Sequence, residues 1–199
     1  MKNYVLGMLA LALAACTSPR ENEAAGKVFS PVVTWTGAVT TTLPLETITW
    51  DGRLIFFVVN VSMNGEEGAF MVDSGSNVTW LTDEFSHAVL AKGLVVASRQ
   101  ATINGVGGAK RQNTVLLDSL DLGFARLHPV LIATGDTLRL INATLAKKKE
   151  RPLAGILGLN LLVPLGASLD LQKSTITFQK LPQPEPTKSS VTREQPGRS

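Results

Sequence analysis

The sequence predicts a mostly-β domain of about 150 residues with one or two short helices. β-Branched residues dominate from Val28 onward, and such residues favour extended structure. Apolar runs flank Asn64-Gly65, and further runs flank a glycine-rich segment at 104–108, which is the pattern of two hairpins. A clear helix start, a capping threonine followed by acidic residues, occurs at Thr82. These observations favour a sheet as the main architecture.

The first hairpin is predicted from a nearly continuous apolar run over residues 54–63. Such a run is typical of a strand that is buried on both faces. We expect the turn to start at Asn64-Gly65 and to end at Gly68, with the partner strand over 69–72. A helix is predicted from Thr82 to about residue 92, because the acidic residues in its first turn match the helix dipole.

The second hairpin is predicted from the apolar runs 94–103 and 110–117. Strand-forming residues continue over 122–132, whereas residues 138–149 fit either a short helix or a charged loop. A closing hairpin is then predicted over residues 168–178.

Composition excludes several classes of protein. The 199 residues carry a formal net charge of +3, from 19 basic and 16 acidic residues without a long basic block, which argues against a nucleic-acid binder. The 44% hydrophobic fraction is sufficient for a core. The single cysteine excludes an internal disulfide framework and any multi-cysteine metal site. His87 and His128 lack ligand-type spacing, so we predict neither a metal nor an organic cofactor.

The N-terminus has the features of a secretory signal. Lys2 precedes an apolar run over residues 5–15, which is shorter than the roughly 20 residues of a membrane-spanning helix. The run ends in Leu13-Ala14-Ala15-Cys16 and resembles a bacterial lipoprotein signal. This resemblance implies a lipid on Cys16 and an anchor in the cell envelope. Because Thr17 rather than an aspartate follows, it implies the outer membrane, facing the periplasm. The alternative is an ordinary signal peptide with an unrelated cysteine.

The ends of the chain are predicted to lie outside the folded domain. We expect a signal peptide over residues 1–15, a flexible tether over 16–30 and a folded domain over 31–180. Residues 181–199 are rich in proline and lack an apolar period, so we expect a disordered tail there.

One segment stands out for its chemistry. In Phe70-Met71-Val72-Asp73-Ser74-Gly75-Ser76, an acidic residue follows an apolar strand. A carboxylate there is costly to bury unless it is paired or hydrogen-bonded. Gly75 permits close backbone approach, and Ser76 can hydrogen-bond the carboxylate. By itself, Asp-Ser-Gly also fits a turn in which the aspartate caps the next segment.

This segment resembles the catalytic Asp-Ser/Thr-Gly loop of aspartic proteases, and two further features follow in that family's order. The hairpin tip Asn104-Gly105-Val106-Gly107-Gly108 resembles the flap that closes over a bound peptide. Ile156-Leu157-Gly158 resembles the second signature, which packs under the active-site loop. From about residue 47 to 178 the chain is similar to the bacterial retropepsin-like branch, although many members carry an aspartate where this chain has Asn160.

The resemblance implies a retropepsin-like (acid protease) β-barrel and an aspartic endopeptidase. Two carboxylates must share a proton, because like charges about 3 Å apart cannot both ionise. The chain has one Asp-Ser-Gly, so the active form has to be a homodimer in which Asp73 of each copy meets on the two-fold axis. Ser74 would hydrogen-bond across that axis, and Gly107 and Gly108 would let the flap open. The implied partners are a peptide or protein substrate and a second copy of the chain.

Other functions stay open at this point. A lipoprotein of the same fold could bind peptides or act as a scaffold without cleaving, because fold does not establish activity. A Ser-His-Asp hydrolase with Ser74 or Ser76 as nucleophile is a further alternative, but no Gly-x-Ser-x-Gly elbow surrounds either serine. The basic residues at 147–149 and Arg151 are most simply a solvated loop, and they could also bias peptide choice towards acidic side chains.

Overall fold

The structure is a computed structural model that describes residues 31–50, 53–105 and 108–182. The described elements, in chain order, are β1 (Val32–Trp35), β2 (Thr40–Trp50), β3 (Arg53–Met63), β4 (Glu66–Val72), β5 (Thr79–Leu81), α1 (Asp83–Ala91), β6 (Val95–Gly105), β7 (Gly108–Leu117), β8 (Leu120–Asp121), β9 (Ala125–His128), β10 (Val130–Thr134), α2 (Arg139–Lys147), β11 (Gly155–Leu157), α3 (Leu159–Leu162), β12 (Ser168–Asp170) and β13 (Thr175–Gln179).

Ten of these strands form one sheet in the order β12-β13-β2-β3-β4-β11-β5-β10-β7-β6. A smaller sheet has the order β1-β9-β8. In the large sheet, neighbours are antiparallel except for β11 beside β4 and β10 beside β5. The predicted mostly-β class is therefore confirmed.

The position of β11 matters most for the site. This strand lies between β4 and β5, although it comes much later in the chain. It runs parallel to β4 and antiparallel to β5, so the end of β4, the end of β11 and the start of β5 share one edge. The loop that joins β4 to β5 must therefore cross the end of β11.

The first hairpin has a tighter turn than the sequence predicts. Asn64 and Gly65 have φ values of 51° and 80°, and the next strand already starts at Glu66. Two consecutive positive φ values match the twist of the flanking strands, so a two-residue turn suffices. The expected end of the turn at Gly68 is wrong. Gly68 lies within β4, where a Cβ would lie 2.6 Å from the Cβ of Ala154.

Apolar side chains cover both faces of the sheet. On β4, Phe70 contributes to the cluster that α1 covers, whereas Ala69 and Met71 face the cluster that α2 covers. β3 alternates in the same way between Val58 and Val59. The prediction of a first strand buried on both faces is thus confirmed.

The helices are short, and none among the described residues is long and apolar enough to span a membrane. The predicted α1 is confirmed, and Thr82 Oγ1 accepts a hydrogen bond from the Phe85 N–H at 3.4 Å. The open choice for residues 138–149 is settled as helix α2. A third helix, α3, was not expected. It arises because the apolar run 155–162 changes direction at Gly158.

The segment 122–132 also differs from the prediction of continuous strand material. It divides into β9 and β10, with β9 in the small sheet and β10 in the large one. The closing hairpin is present as β12 and β13.

Candidate active site

Asp73 follows the last residue of β4 and lies at the edge that β4, β5 and β11 share. Its backbone N–H donates to the Leu157 carbonyl at 3.1 Å, so β11 fixes the point where the loop leaves the sheet. One carboxylate oxygen, Oδ1, accepts the Gly75 N–H at 2.8 Å. Asp73 is half-buried, whereas Ser74 and Gly75 are exposed. The carboxylate is therefore held by the backbone of its own loop while it remains accessible.

Ser76 has a different role from the predicted one. Its hydroxyl donates to the Val78 carbonyl at 2.7 Å, and its N–H donates to the Asp73 carbonyl at 3.2 Å. The expected hydrogen bond from Ser76 to the carboxylate is wrong, because the tight turn brings the Gly75 N–H to that oxygen instead. Ser76 therefore stabilises the part of the loop that leads into β5.

The second signature lies against this loop. Ile156 is buried on the α2 side of the sheet and Leu157 on the α1 side. After Gly158, the Leu159 N–H donates to the Ser76 carbonyl at 2.7 Å. A Cβ on Gly158 would lie 2.4 Å from the Val78 carbonyl oxygen, so only glycine lets the two segments approach this closely. The predicted packing of this segment under the loop is observed.

Asn160 forms a polar network for which the sequence contains no local signal. Its Oδ1 accepts the Thr79 N–H at 2.7 Å and the Thr79 hydroxyl at 2.9 Å. Its Nδ2 donates to the Leu131 carbonyl at 2.7 Å. The Thr79 hydroxyl also accepts the Gly158 N–H at 3.1 Å. One amide thus connects β5, β10 and the second signature beneath the active-site loop.

A cleft of about 270 Å³ opens beside the carboxylate. Phe56, Phe57, Met71 and Val72 line it together with Asp73. Apolar walls around a single acidic group favour an apolar ligand surface and a reaction that needs a proton acceptor or donor.

Three other aspartates lie outside the lining of the cleft. Hydrogen bonds from Arg126 and the Gly123 N–H hold the pKa of Asp121 below its usual value. Hydrogen bonds from the Lys173 N–H and ammonium group likewise lower the pKa of the half-buried Asp170. Asp118 is exposed in the turn before β8. Of the residues that line the cleft, only Asp73 is acidic.

The predicted flap is the hairpin of β6 and β7. Its base is held because β7 pairs with β10 over Asn113–Leu117, whereas β6 pairs, among the described strands, with β7 alone. The distal half of the hairpin therefore extends beyond the rest of the sheet. Asn104, Gly105 and Gly108 belong to its strand ends, while Val106 and Gly107 lie outside the described residues.

Several predictions lie outside the described residues. They concern Cys16 with the signal peptide, the tether at 16–30 and most of the tail, from residue 183 onward. Within the described ranges, no group of three or more histidine, cysteine, aspartate or glutamate side chains is arranged to hold a metal ion.

Comparison with known proteins gives one family match. A family model described as aspartyl protease matches residues 59–161, which include Asp73, β6 and β7, the second signature and Asn160. A comparison with curated proteins finds no match.

Two solved structures are similar to the chain at low identity. A retropepsin-like aspartic protease from Rickettsia conorii is 18% identical over 76% of this chain and 95% of that chain, with a TM-score of 0.43. The EIAV protease, in complex with an inhibitor, is 20% identical over 62% of this chain and 100% of that chain, with a TM-score of 0.40.

Proposed function

Because the chain belongs to the aspartyl protease family, we propose that it is an endopeptidase that hydrolyses peptide bonds with Asp73 as its catalytic carboxylate. The family predicted from the Asp73 and Ile156–Gly158 motifs is confirmed by the match over residues 59–161. The observation that carries the proposal is the accessible carboxylate of Asp73 at an apolar cleft, with its loop fixed by β11.

The proposed reaction needs two carboxylates around one water molecule. One carboxylate accepts a proton from the water, which then attacks the scissile carbonyl carbon. The other carboxyl group is protonated and donates to the carbonyl oxygen as it gains negative charge. The pair shares one proton because two adjacent negative charges repel each other strongly, and the dyad titrates as a unit.

The second carboxylate comes, in this proposal, from a second copy of the chain. Asp73 is the one acidic residue that lines the described cleft, whereas Asp118 follows β7 and Asp170 ends β12. A two-fold axis beside Asp73 supplies an identical carboxylate in the matching orientation. The exposed Ser74 and Gly75 are the part of the loop that is accessible for this contact.

We also propose that the protein works at the cell envelope, tethered through a lipid on Cys16. Support for this location comes from the sequence alone, since the motif Leu13-Ala14-Ala15-Cys16 follows a short apolar run. Labelling with a palmitate analogue, compared between the wild type and Cys16→Ala, tests it. Equal labelling of the two proteins would contradict it.

A second candidate function is peptide binding without cleavage. It is favoured by the presence of a single carboxylate in each cleft, because an unpaired copy has the binding surface and lacks the dyad.

The test is cleavage of an unbiased peptide library by the chain from residue 17 onward, beside its Asp73→Asn variant. We expect cleavage by the wild type and a loss of at least about a thousandfold in the variant, because the amide cannot accept the proton from water. Circular dichroism should show both proteins folded. Retention of peptides without cleavage would favour the binding function, and equal cleavage by the two proteins would overturn the role of Asp73.

A further inference from the structure

The two faces of the large sheet carry helices of opposite charge. On one face, α2 and the segment after it, residues 139–151, contain five basic side chains and one acidic side chain. On the other face, α1 has two acidic residues in its first turn and contains no lysine or arginine. A strong local excess of positive charge therefore lies on the α2 face.

This basic segment is attached to strand β2. Lys148 Nζ donates to the Thr49 carbonyl at 3.3 Å. Three residues later, the Arg151 guanidinium forms an ion pair with Glu46 at 3.3 Å. The end of α2 is therefore fixed against the strand that neighbours β3, which carries part of the cleft.

Strand register gives the separation from the active site. Met71 pairs with Val58, so continuing this register by two residues sets Phe56 opposite Asp73. Phe56 pairs in turn with Ile48. Two strand spacings, about 10 Å, thus separate the backbones of Asp73 and Ile48. The Lys148 contact is made at the next residue along β2.

The basic segment lies on the same side of the sheet as one wall of the cleft. Met71, which lines the cleft, packs in the cluster that contains Ile141 and Leu145 of α2. Ile48 belongs to the same cluster. Helix α2, which ends in these cations, therefore lies on the side of the sheet to which Met71 packs.

Two of these cations are available for a ligand. Lys147 and Lys149 are exposed, and neither forms an ion pair with another described residue. The neighbouring anion, Glu150, is also exposed. An excess of positive charge near a partly enclosed cleft attracts anionic groups, and the attraction weakens with salt.

We propose that Lys147, Lys148 and Lys149 form a basic rim that selects peptides with an acidic side chain three or four residues from the scissile bond. An extended peptide advances about 3.3 Å per residue, so three residues cover the roughly 10 Å between the backbones of Asp73 and Ile48, which precedes the residue that Lys148 contacts. This inference rests on the proposed proteolytic function and adds a substrate class to it.

The test uses pairs of peptides that differ only by glutamate or glutamine three or four residues to either side of the cleaved bond. The wild type should cleave the preferred glutamate peptide with a kcat/KM about tenfold higher. A double variant, Lys147→Glu with Lys149→Asp, should lose this preference while it still cleaves the glutamine peptide. Aspartate is chosen at position 149 because φ there is 59°, a conformation that aspartate tolerates better than most residues.

The control is Lys180→Glu, which reverses one charge at a distant surface. Lys180 is exposed, and its N–H donates to the Val39 carbonyl beside the start of β2. Nine residues of β2, about 30 Å, separate that end of the strand from Thr49. This control should keep the preference for glutamate.

The outcomes separate the inference from the function on which it rests. Equal cleavage of both peptides by the wild type would overturn the basic rim and leave the protease intact. If, in addition, the double variant lost binding to phosphatidylglycerol vesicles, the rim would be assigned to a membrane surface instead. If no peptide were cleaved, the proposed function would fail, and retention of the glutamate and glutamine peptides would then decide whether the rim binds acidic chains. Equal retention of the glutamate and glutamine peptides would overturn the basic rim.

Discussion

Asn160 uses both ends of its side-chain amide to join β5 and β10 beneath the Asp73 loop. Its Oδ1 accepts two hydrogen bonds from Thr79, and its Nδ2 donates to the Leu131 carbonyl. In Asn160→Asp, a carboxylate oxygen would replace Nδ2 and face the Leu131 carbonyl oxygen. We expect a loss of about 1–3 kcal/mol in the free energy of unfolding at neutral pH, because a partly buried acceptor is left without a donor. Urea denaturation measures this difference in the free energy of unfolding.

The pH dependence of this loss of stability distinguishes the missing hydrogen bond to Leu131 from a nonspecific disruption of the fold. A protonated carboxyl group can donate to the Leu131 carbonyl, so the penalty should shrink as the pH is lowered. The exposed Asn113→Asp is the matched control, since it makes the same chemical change at the surface of β7. A loss at Asn160 no larger than that at Asn113 would contradict the role of the network.

Gly158 is the position where the active-site loop and the second signature approach most closely. In Gly158→Ala, the new methyl group would lie 2.4 Å from the Val78 carbonyl oxygen and 2.9 Å from that of Ser76. Since both are backbone atoms, the loop itself must shift. We expect a loss of about 1–3 kcal/mol in stability, measured by urea denaturation, and at least about tenfold in peptide cleavage.

The control for this variant is Gly37→Ala, where the added methyl group would have no heavy atom within 4 Å. Gly37→Ala should leave both stability and cleavage nearly unchanged. Equal effects of the two substitutions would contradict the steric argument.

At the scale of residues, short motifs could be predicted from the sequence, whereas hydrogen-bond partners that lie far apart along the chain could not. Asp73-Ser74-Gly75 and Ile156–Gly158 could be found because each is a short, contiguous pattern. The role of Asn160 could not, since its partners lie 81 and 29 residues away along the chain. The wrong expectation for Ser76 has a local cause, because the sequence does not determine which donor the turn directs at the carboxylate.

The small sheet contains a carboxylate whose stabilising role depends on pH. Arg126 on β9 and the Gly123 N–H hold the pKa of Asp121 below its usual value. A lowered folded-state pKa contributes stability above the unfolded-state pKa of about 3.9, and that contribution is lost as the pH falls further. Asp121→Asn should therefore be less stable than the wild type at pH 7, and the difference should shrink below about pH 4.

Urea denaturation at a series of pH values measures this difference. Asp118→Asn is the matched control, because Asp118 is exposed and forms no ion pair with a described residue. A constant difference between Asp121→Asn and the wild type across the acid range would contradict the assigned electrostatic role.

Hairpins and capped helices were the elements that the sequence predicted best. Asn64-Gly65 and the glycine-rich tip mark turns by local chemistry, and Thr82 marks a helix start in the same way. The extent of the flap could be determined only from the structure. The glycines at its tip suggested mobility there, but the pairing of β7 with β10 ends at Asn113, so the described residues of the distal hairpin have no further partner strand.

For the whole molecule, the sequence predicted the mostly-β class but did not predict the strand order. The insertion of β11 between β4 and β5 joins segments that are more than 70 residues apart, and no local pattern encodes such a pairing. That insertion is what sets Gly158 against Ser76 and Val78, in the loop that follows Asp73. The candidate site thus depends on long-range topology even though its motifs are local.

Dimerisation is the property of the whole molecule on which the proposed activity depends. If each active site needs Asp73 from two copies, a dimer of one wild-type chain and one Asp73→Asn chain should not cleave. When equal amounts of the two proteins exchange freely, random pairing leaves about one quarter of the dimers with two intact carboxylates. Cleavage by the mixture should therefore be about one quarter of that of wild type at the same total concentration.

Independent monomers would give a different result, because half of the chains in the mixture remain intact. Their cleavage rate should be about one half of the wild-type rate, in proportion to the intact fraction. Copurification of a tagged Asp73→Asn chain with untagged wild-type chain verifies that the copies have exchanged. A rate near one half in a fully exchanged mixture would contradict the shared dyad, since it would mean that each chain acts with its own carboxylate alone.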